Sequence, residues 1–159
     1  MTPLRSIVGL LVWVGLSFAA GAIGSLFTGR AIPGWYAGLV KPSWNPPNWL
    51  FGPVWSALYL LMGISAWLVW RRAGLSGAAL PLGLFALQLC LNAAWSIIFF
   101  GLHAPGAALV EIVLLWAAIL ATMLAFRPVV PVASLLLLPY LLWVTFAGFL
   151  NFALWRLNR

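Results

Sequence analysis

An all-α integral membrane protein, a bundle of five transmembrane helices with one long ordered loop between helices one and two, is the fold class the sequence predicts. Three observations predict it. Hydrophobic residues fill 65% of the 159 positions and charged residues only 6%, against roughly 25% charged in soluble domains. Five apolar runs reach the roughly 20 helical residues that a ~30 Å hydrocarbon core demands. Prolines, asparagines and basic residues collect mainly between those runs, and the length suits a single domain over residues 1–159.

The first run extends from about Leu4 to Phe27. Its start, Arg5 followed by IVGLLVWVGLSFAAGA, is compatible with a cleavable signal. Apolar character persists through Ile23 and Leu26, which favours a retained helix. A connector over about 28–48 follows, long enough to be functional or disordered. Its prolines and aromatics argue for order. The remaining runs span about Trp49 to Trp70, Leu80 to Gly101, Ala107 to Phe126 and Val132 to Trp155. Pro53, Pro81, Pro105 and Pro131 stand near their beginnings, where a missing N–H costs no intrahelical bond. Pro139 falls about two turns into the last run and predicts a kink there. The short later connectors predict antiparallel neighbours.

Net charge of +7 would suggest nucleic acid in a soluble protein. Here the basic residues are scattered singly or in one pair, so they read as interfacial anchors, and no nucleic-acid site is expected. Arg5, Arg71, Arg72 and Arg127 share one side of the predicted bundle, and Arg30, Lys41, Arg156 and Arg159 the other. That tie leaves orientation open. Cys90 reads as a small packing residue. His103 has no second His or Cys at ligand spacing, so neither a metal nor a haem centre is expected, and no cofactor.

The stretch KPSWNPPNWLFGPVW (41–55) is the most irregular in the chain. Tryptophans there fit an interfacial belt. A belt needs no rigid loop, however, and Pro42, Pro46 and Pro47 stiffen this one, as a lid over a cavity would require. The pattern Trp35-Tyr36-x-x-Leu39-x-Lys41-Pro42-x-Trp44-x-Pro46-Pro47 resembles the TspO/MBR family of tryptophan-rich sensory and translocator proteins. So do Pro53-Val54-Trp55, Leu91-Asn92-Ala93-Ala94-Trp95-Ser96 and Leu138-Pro139-Tyr140-Leu141-Leu142-Trp143. The resemblance implies a dimeric five-helix bundle in a membrane, here expected to be a bacterial cell membrane. It also implies a pocket beneath the first loop for protoporphyrin IX or related tetrapyrroles, cholesterol and benzodiazepine-site ligands. Residues it brings to such a pocket are Tyr36, Trp44, Pro46, Trp55, Tyr59, Gln88, Asn92, Trp95, Tyr140, Trp143 and Ala147.

The residues themselves leave some choices open. Gln88, Asn92 and Ser96 recur every fourth position, so they share one helix face. Polar groups are costly against lipid, and such a seam serves either as interhelical glue or as a pocket wall. Trp55 and Tyr59 stand one turn apart, as do Pro139, Trp143 and Ala147; taken alone the two tryptophans read first as packing residues, and the resemblance moves them to a pocket. Indoles offer stacking area to a flat guest, and an amide or phenol orients it. Arg30 and Lys41 flank the lid; either alone reads first as solvated surface charge, and second as a partner for porphyrin carboxylates. Glu111, the only acidic side chain, reads first as half of a structural ion pair, then as a proton or ligand group. Leu150, Phe152 and Arg156 approximate a sterol motif, with phenylalanine where the pattern wants tyrosine. A reversed version runs Arg30, Tyr36, Leu39. The stripes Ala20–Gly24 and Ala86–Cys90–Ala94 allow close helix approach within the bundle or across a dimer.

A porphyrin-binding membrane sensor is therefore expected. A light- and oxygen-dependent porphyrin-degrading enzyme, with Trp55 and Trp143 as redox rings, is the alternative. A passive scaffold or transport partner is the third reading. No acid–base pair or nucleophilic triad is visible, so hydrolysis and group transfer are unsupported.

Overall fold

The computed structural model describes residues 2–159. Five helical spans in it are long and apolar enough to cross a membrane. Helix α1 (Pro3–Ala31) starts at Thr2, whose Oγ1 accepts from the Arg5 N–H. It runs straight into a π-helical turn at Ile32–Tyr36. Helix α2 (Asn48–Gly77) is followed, after Ala78, by α3 (Ala79–Ser96), which widens into a second π turn at Ile97–Gly101. Helix α4 covers Pro105–Phe126, and the last span is split into α5 (Pro131–Leu136) and α6 (Leu138–Leu157).

The helices close a ring in which α1 packs on α2 and α3, α3 on α4, α4 on α6 and α2 on α5. Small residues decide how near α1 comes. A Cβ on Gly63 of α2 would meet the Val14 backbone of α1, and Gly9 and Gly21 of α1 lie under the rings of Trp70 and Tyr59. The core between the helices includes Met62, Phe85, Ile119 and Phe126. Outward faces carry Leu11, Leu124, Leu142 and Phe149, as lipid-facing helices must.

Several expectations need correction. The first connector is much shorter than 28–48: helix persists through the π turn, and only about 39–47 is irregular. Pro33 lies within the π turn, where its missing N–H leaves the preceding turn one hydrogen bond short. The second span continues beyond Trp70 to Gly77, with a break at Gly74, where φ is 72°. Pro53 lies inside α2 rather than in its first turn. The short later connectors do join neighbours, since α2 touches α3, α3 packs on α4 and α4 on α5 and α6, and α1 adds contacts to both α2 and α3.

The expected bend at Pro139 is present between α5 and α6. The Leu137 N–H turns to the Ser134 carbonyl, and the Ala133 carbonyl instead accepts from Ser65 Oγ at 2.7 Å. A helix break is thereby converted into an α2–α5 hydrogen bond, in line with the rule that buried carbonyls find partners. The paired amide of Asn151 and the indole N–H groups of Trp67 and Trp116 supply further interhelical bonds, to Pro105, Ser6 and Thr145.

Candidate functional site

A cavity of about 330 Å³ lies within the bundle at its lid end, between α1, α2, α3, α4 and α6. Its size falls in the ordinary range for small-molecule sites, roughly 300–1,000 Å³. The walls are mainly apolar and rich in aromatic rings, including Phe51, Trp55, Trp95, Phe99, Phe100 and Trp143.

One wall is a chain of phenols and an amide. Gly21 leaves room for the Tyr59 ring, which stacks on Trp55 with centroids 5.5 Å apart. From there the Tyr59 hydroxyl donates to Asn92 Oδ1 at 2.7 Å, and Asn92 Nδ2 donates to the Tyr140 hydroxyl at 3.0 Å. Tyr140 is buried behind this wall, edge-on to Trp55 at 6.1 Å. Both sides of the Asn92 amide are thus engaged within the protein. A second amide, Asn151, accepts from Trp95 Nε1 at 3.1 Å and donates to the Pro105 carbonyl at 2.7 Å, so Trp95 is fixed against α4 and α6.

The mouth is built from the two π turns. A π turn carries one residue more than an α turn, and it re-aims the side chains around it. Trp35 stacks on His103 at 4.4 Å and meets Phe99 edge-on at 5.6 Å. His103 is held at φ 51°, in the left-handed region. Tyr36 packs on Phe99 and Phe100, and its hydroxyl donates to Asn45 Oδ1 at 3.0 Å. Lys41 folds back over the Tyr36 ring at 4.8 Å and donates to the Ala37 and Leu39 carbonyls.

The lid proper, about 39–47, is fastened at three points. Tyr36–Asn45 is the first. Trp44 lies edge-on to Phe146 of α6 at 5.8 Å, and Phe146 in turn touches Trp143 at 5.4 Å. The third is a two-way clip: Asn158 Oδ1 accepts from the Val40 N–H and its Nδ2 donates to the Val40 carbonyl, each at 2.9 Å. Replacing Asn158 by alanine removes that clip. We expect hydrogen exchange at 40–45 to quicken about fivefold, as loss of roughly 1 kcal/mol implies, with exchange in α2 unchanged. Equal exchange in the two proteins would show that the clip holds nothing.

Of the residues singled out from sequence, Tyr36, Trp55, Tyr59, Asn92, Trp95, Trp143 and Ala147 line this one cavity. Tyr140 stands one hydrogen bond behind it. Trp44 is one ring removed, through Phe146, and the Pro46 carbonyl accepts from Asn45 Nδ2 within the lid. Gln88 lies away from the cavity, buried near Met62 with Nε2 3.9 Å from the sulfur. The Gln88–Asn92–Ser96 seam is therefore divided between core and cavity. Leu150 lines the cavity, whereas Phe152 is 43% exposed, with the Arg156 guanidinium 5.8 Å above its ring. The three sterol-motif residues do not form one surface.

Glu111 departs from expectation. It is 7% exposed, and neither carboxyl oxygen has a hydrogen-bond partner among the described residues, so the anticipated ion pair is absent. The reason is position: every arginine lies near a helix end or beyond it, whereas Glu111 sits almost two turns into α4. Cys90 is exposed on α3 rather than packed inside. No cluster of metal-ligating side chains exists among the described residues.

Sequence reading passed over Phe51, Asn151 and Asn158. Asn151 carried a usable signal, being an amide inside an apolar run. Asn158 carried none, since its partner is 118 residues away.

The TspO/MBR family model matches residues 13–156. Among similar proteins, the tryptophan-rich protein TspO of Chlorobaculum tepidum is 48% identical over 158 residues, 97% of this chain and 98% of that protein. The translocator protein of Homo sapiens is 48% identical over 139 residues, covering 86% of this chain and 82% of that protein. The tryptophan-rich sensory protein of Cereibacter sphaeroides is 42% identical over 124 residues, 78% and 77% of the two chains.

Proposed function

From the premise that the chain belongs to the TspO/MBR family, and is an integral protein of a bacterial membrane, we propose that it is a sensor or translocator whose ligand is a flat tetrapyrrole such as protoporphyrin IX. The observation that carries this reading is the aromatic cavity closed by a fastened lid. Trp55, Trp95 and Trp143 bring three indoles to one space of about 330 Å³, and polar groups there are few. Indole and phenyl faces give a planar macrocycle stacking area, and stacked aromatic pairs add about 0.5–1.5 kcal/mol each beyond area burial. Arg30, exposed near the mouth, supplies a cation for a propionate, whereas Lys41 is already engaged with the lid backbone.

Self-association belongs to the same reading. Ala86 and Cys90 face outward on α3, where small side chains let a second helix approach. Sterol is the weaker partner, because Leu150 and Phe152 point in different directions.

The test is a protoporphyrin IX titration of the purified protein in detergent, first in darkness and then under illumination in air. Indole fluorescence and porphyrin absorbance are followed together, beside a Trp55→Phe, Trp143→Phe variant. Saturable quenching in the dark, with affinity about tenfold lower in the variant and porphyrin stable in light, is the expected result; tenfold corresponds to about 1.4 kcal/mol. Absence of saturable quenching would overturn the ligand. Light-dependent porphyrin loss in the wild type alone would replace the sensor by the degrading enzyme.

A further inference from the structure

The end of the bundle opposite the lid holds a second cavity that the tetrapyrrole reading does not use. It is a notch of about 360 Å³ between α2 and the α4–α5 turn, lined by Leu68, Arg71, Arg72, Val129, Val130 and Pro131. Its shape follows from local sequence. Gly74, at φ 72°, breaks α2 just after the two arginines. On the other side the Val129 and Val130 N–H groups both turn back to the Phe126 carbonyl, and Pro131 then opens α5.

The charges at this end have no counter-ion in the chain. Arg5, Arg71, Arg72 and Arg127 gather here, because α1 and α3 begin at this end and α2 and α4 finish there. The single acidic side chain, Glu111, lies 16 positions before Arg127, or about 24 Å along α4 at 1.5 Å per residue. Two of the guanidinium groups are positioned by indoles. Arg71 sits 4.6 Å over the Trp67 ring, and Trp67 is itself fixed by its bond to the Ser6 carbonyl at 2.9 Å. Arg5 lies 6.0 Å over Trp70. At the lid end Arg30 stands near the mouth of the aromatic cavity, Lys41 is spent on backbone carbonyls, and Arg156 and Arg159 lie over Phe152 and Trp155.

We propose that this notch is a binding site for an anionic phospholipid. The phosphate is held by Arg71 and Arg72, and the glycerol and first acyl carbons rest on Leu68, Val129 and Val130. Guanidinium is the side chain best matched to phosphate oxygens, in a fork that makes two charge-assisted bonds. Basic pockets between transmembrane helices at the headgroup level suit acidic lipids. Two cations above an apolar floor at the interface ask for a guest that is anionic at one end and hydrocarbon at the other. A soluble anion satisfies only the upper half.

Native mass spectrometry of the full chain tests this, after exchange into micelles doped with equal phosphatidylglycerol and phosphatidylcholine. The expected result is selective retention of phosphatidylglycerol, about 10- to 30-fold weaker in Arg71→Gln, Arg72→Gln, at roughly 1 kcal/mol per basic side chain near the surface. The charge-matched control Arg156→Gln, Arg159→Gln should retain the lipid as wild type does. Equal losses in the two variants, or no preference over phosphatidylcholine, would overturn the site. Inorganic phosphate at millimolar concentration is the third arm: complete displacement of the lipid by it would reassign the notch to a soluble anion. Both variants should show an unchanged helical circular dichroism spectrum, which separates a lost site from a lost fold.

Discussion

Gly63→Ala is expected to destabilise the bundle by about 3 kcal/mol, at the upper end of what overpacking costs. A Cβ at this position would stand 2.5 Å from the Val14 Cα and 2.8 Å from its backbone nitrogen. Nothing can rotate out of the way, because the obstacle is main chain. The two helices must move apart, and every α1–α2 contact near the crossing loosens with them. Among those at risk are the seating of Tyr59 over Gly21 and the Trp67 bond to Ser6. Unfolding in mixed micelles with rising denaturing detergent measures the loss. Gly15→Ala is the matched control, since no atom beyond its own helix lies within 4 Å of a Cβ there. Alanine is the better helix former, so that variant should be neutral or slightly stabilised. Similar stability for the two variants would mean that helix approach at Val14 is not a constraint.

Asn92→Leu should cost a similar amount, about 3 kcal/mol, by a different mechanism. The amide serves two phenols at once, accepting from half-buried Tyr59 and donating to buried Tyr140. Leucine leaves both hydroxyls without that partner; the orphaned Tyr140 hydroxyl costs roughly 1–3 kcal/mol, and the lost Tyr59 bond adds about 1 kcal/mol. The triple variant Tyr59→Phe, Asn92→Leu, Tyr140→Phe removes the orphans together and should recover to within about 1 kcal/mol of wild type. Failure of the triple variant to recover would point to the shape of asparagine, not its hydrogen bonds, as the contribution. Ligand binding gives the second readout. Recovered stability with porphyrin affinity still lowered would show that this polar wall also orients the guest.

Much of this architecture was legible in the chain itself. Apolar runs longer than twenty residues cannot fold as anything but spans, and Pro105 and Pro131 mark the true starts of α4 and α5. Pro139 announced its bend because no helix interior keeps its backbone bonding through a proline. Trp55, Tyr59, Asn92, Trp143 and Ala147 share one cavity for the reason their spacing suggested: residues four apart ride one helix face. What escaped was of another kind. The end of the first helix lies beyond Phe27, where the apolar run stops, because a π turn extends the helix without any pattern of apolar residues to mark it. Gln88 obeyed the same spacing as Asn92, yet it lies toward Met62, because helical periodicity does not record where one neighbouring helix yields to another. Trp44 belongs to the lid, but the wall it touches is Phe146 of α6, about a hundred positions later. Glu111 was paired on charge alone, and distance forbids the partner.

The two π turns have a consequence for insertions and deletions. Each is an α-helix with one residue too many, housed where α1 and α3 reach the cavity mouth. A π turn completes about one revolution with one residue more than an α turn. Deleting Gly34 would therefore let the helix close to ordinary geometry while Tyr36 and the start of the lid keep nearly the same facing. Deleting a residue from the regular part of α1 would instead turn everything beyond it by about 100°. The π turn is thus a place where the first span can lose a residue without moving the mouth, and side-chain identity at Trp35 and Tyr36 counts for more there than length.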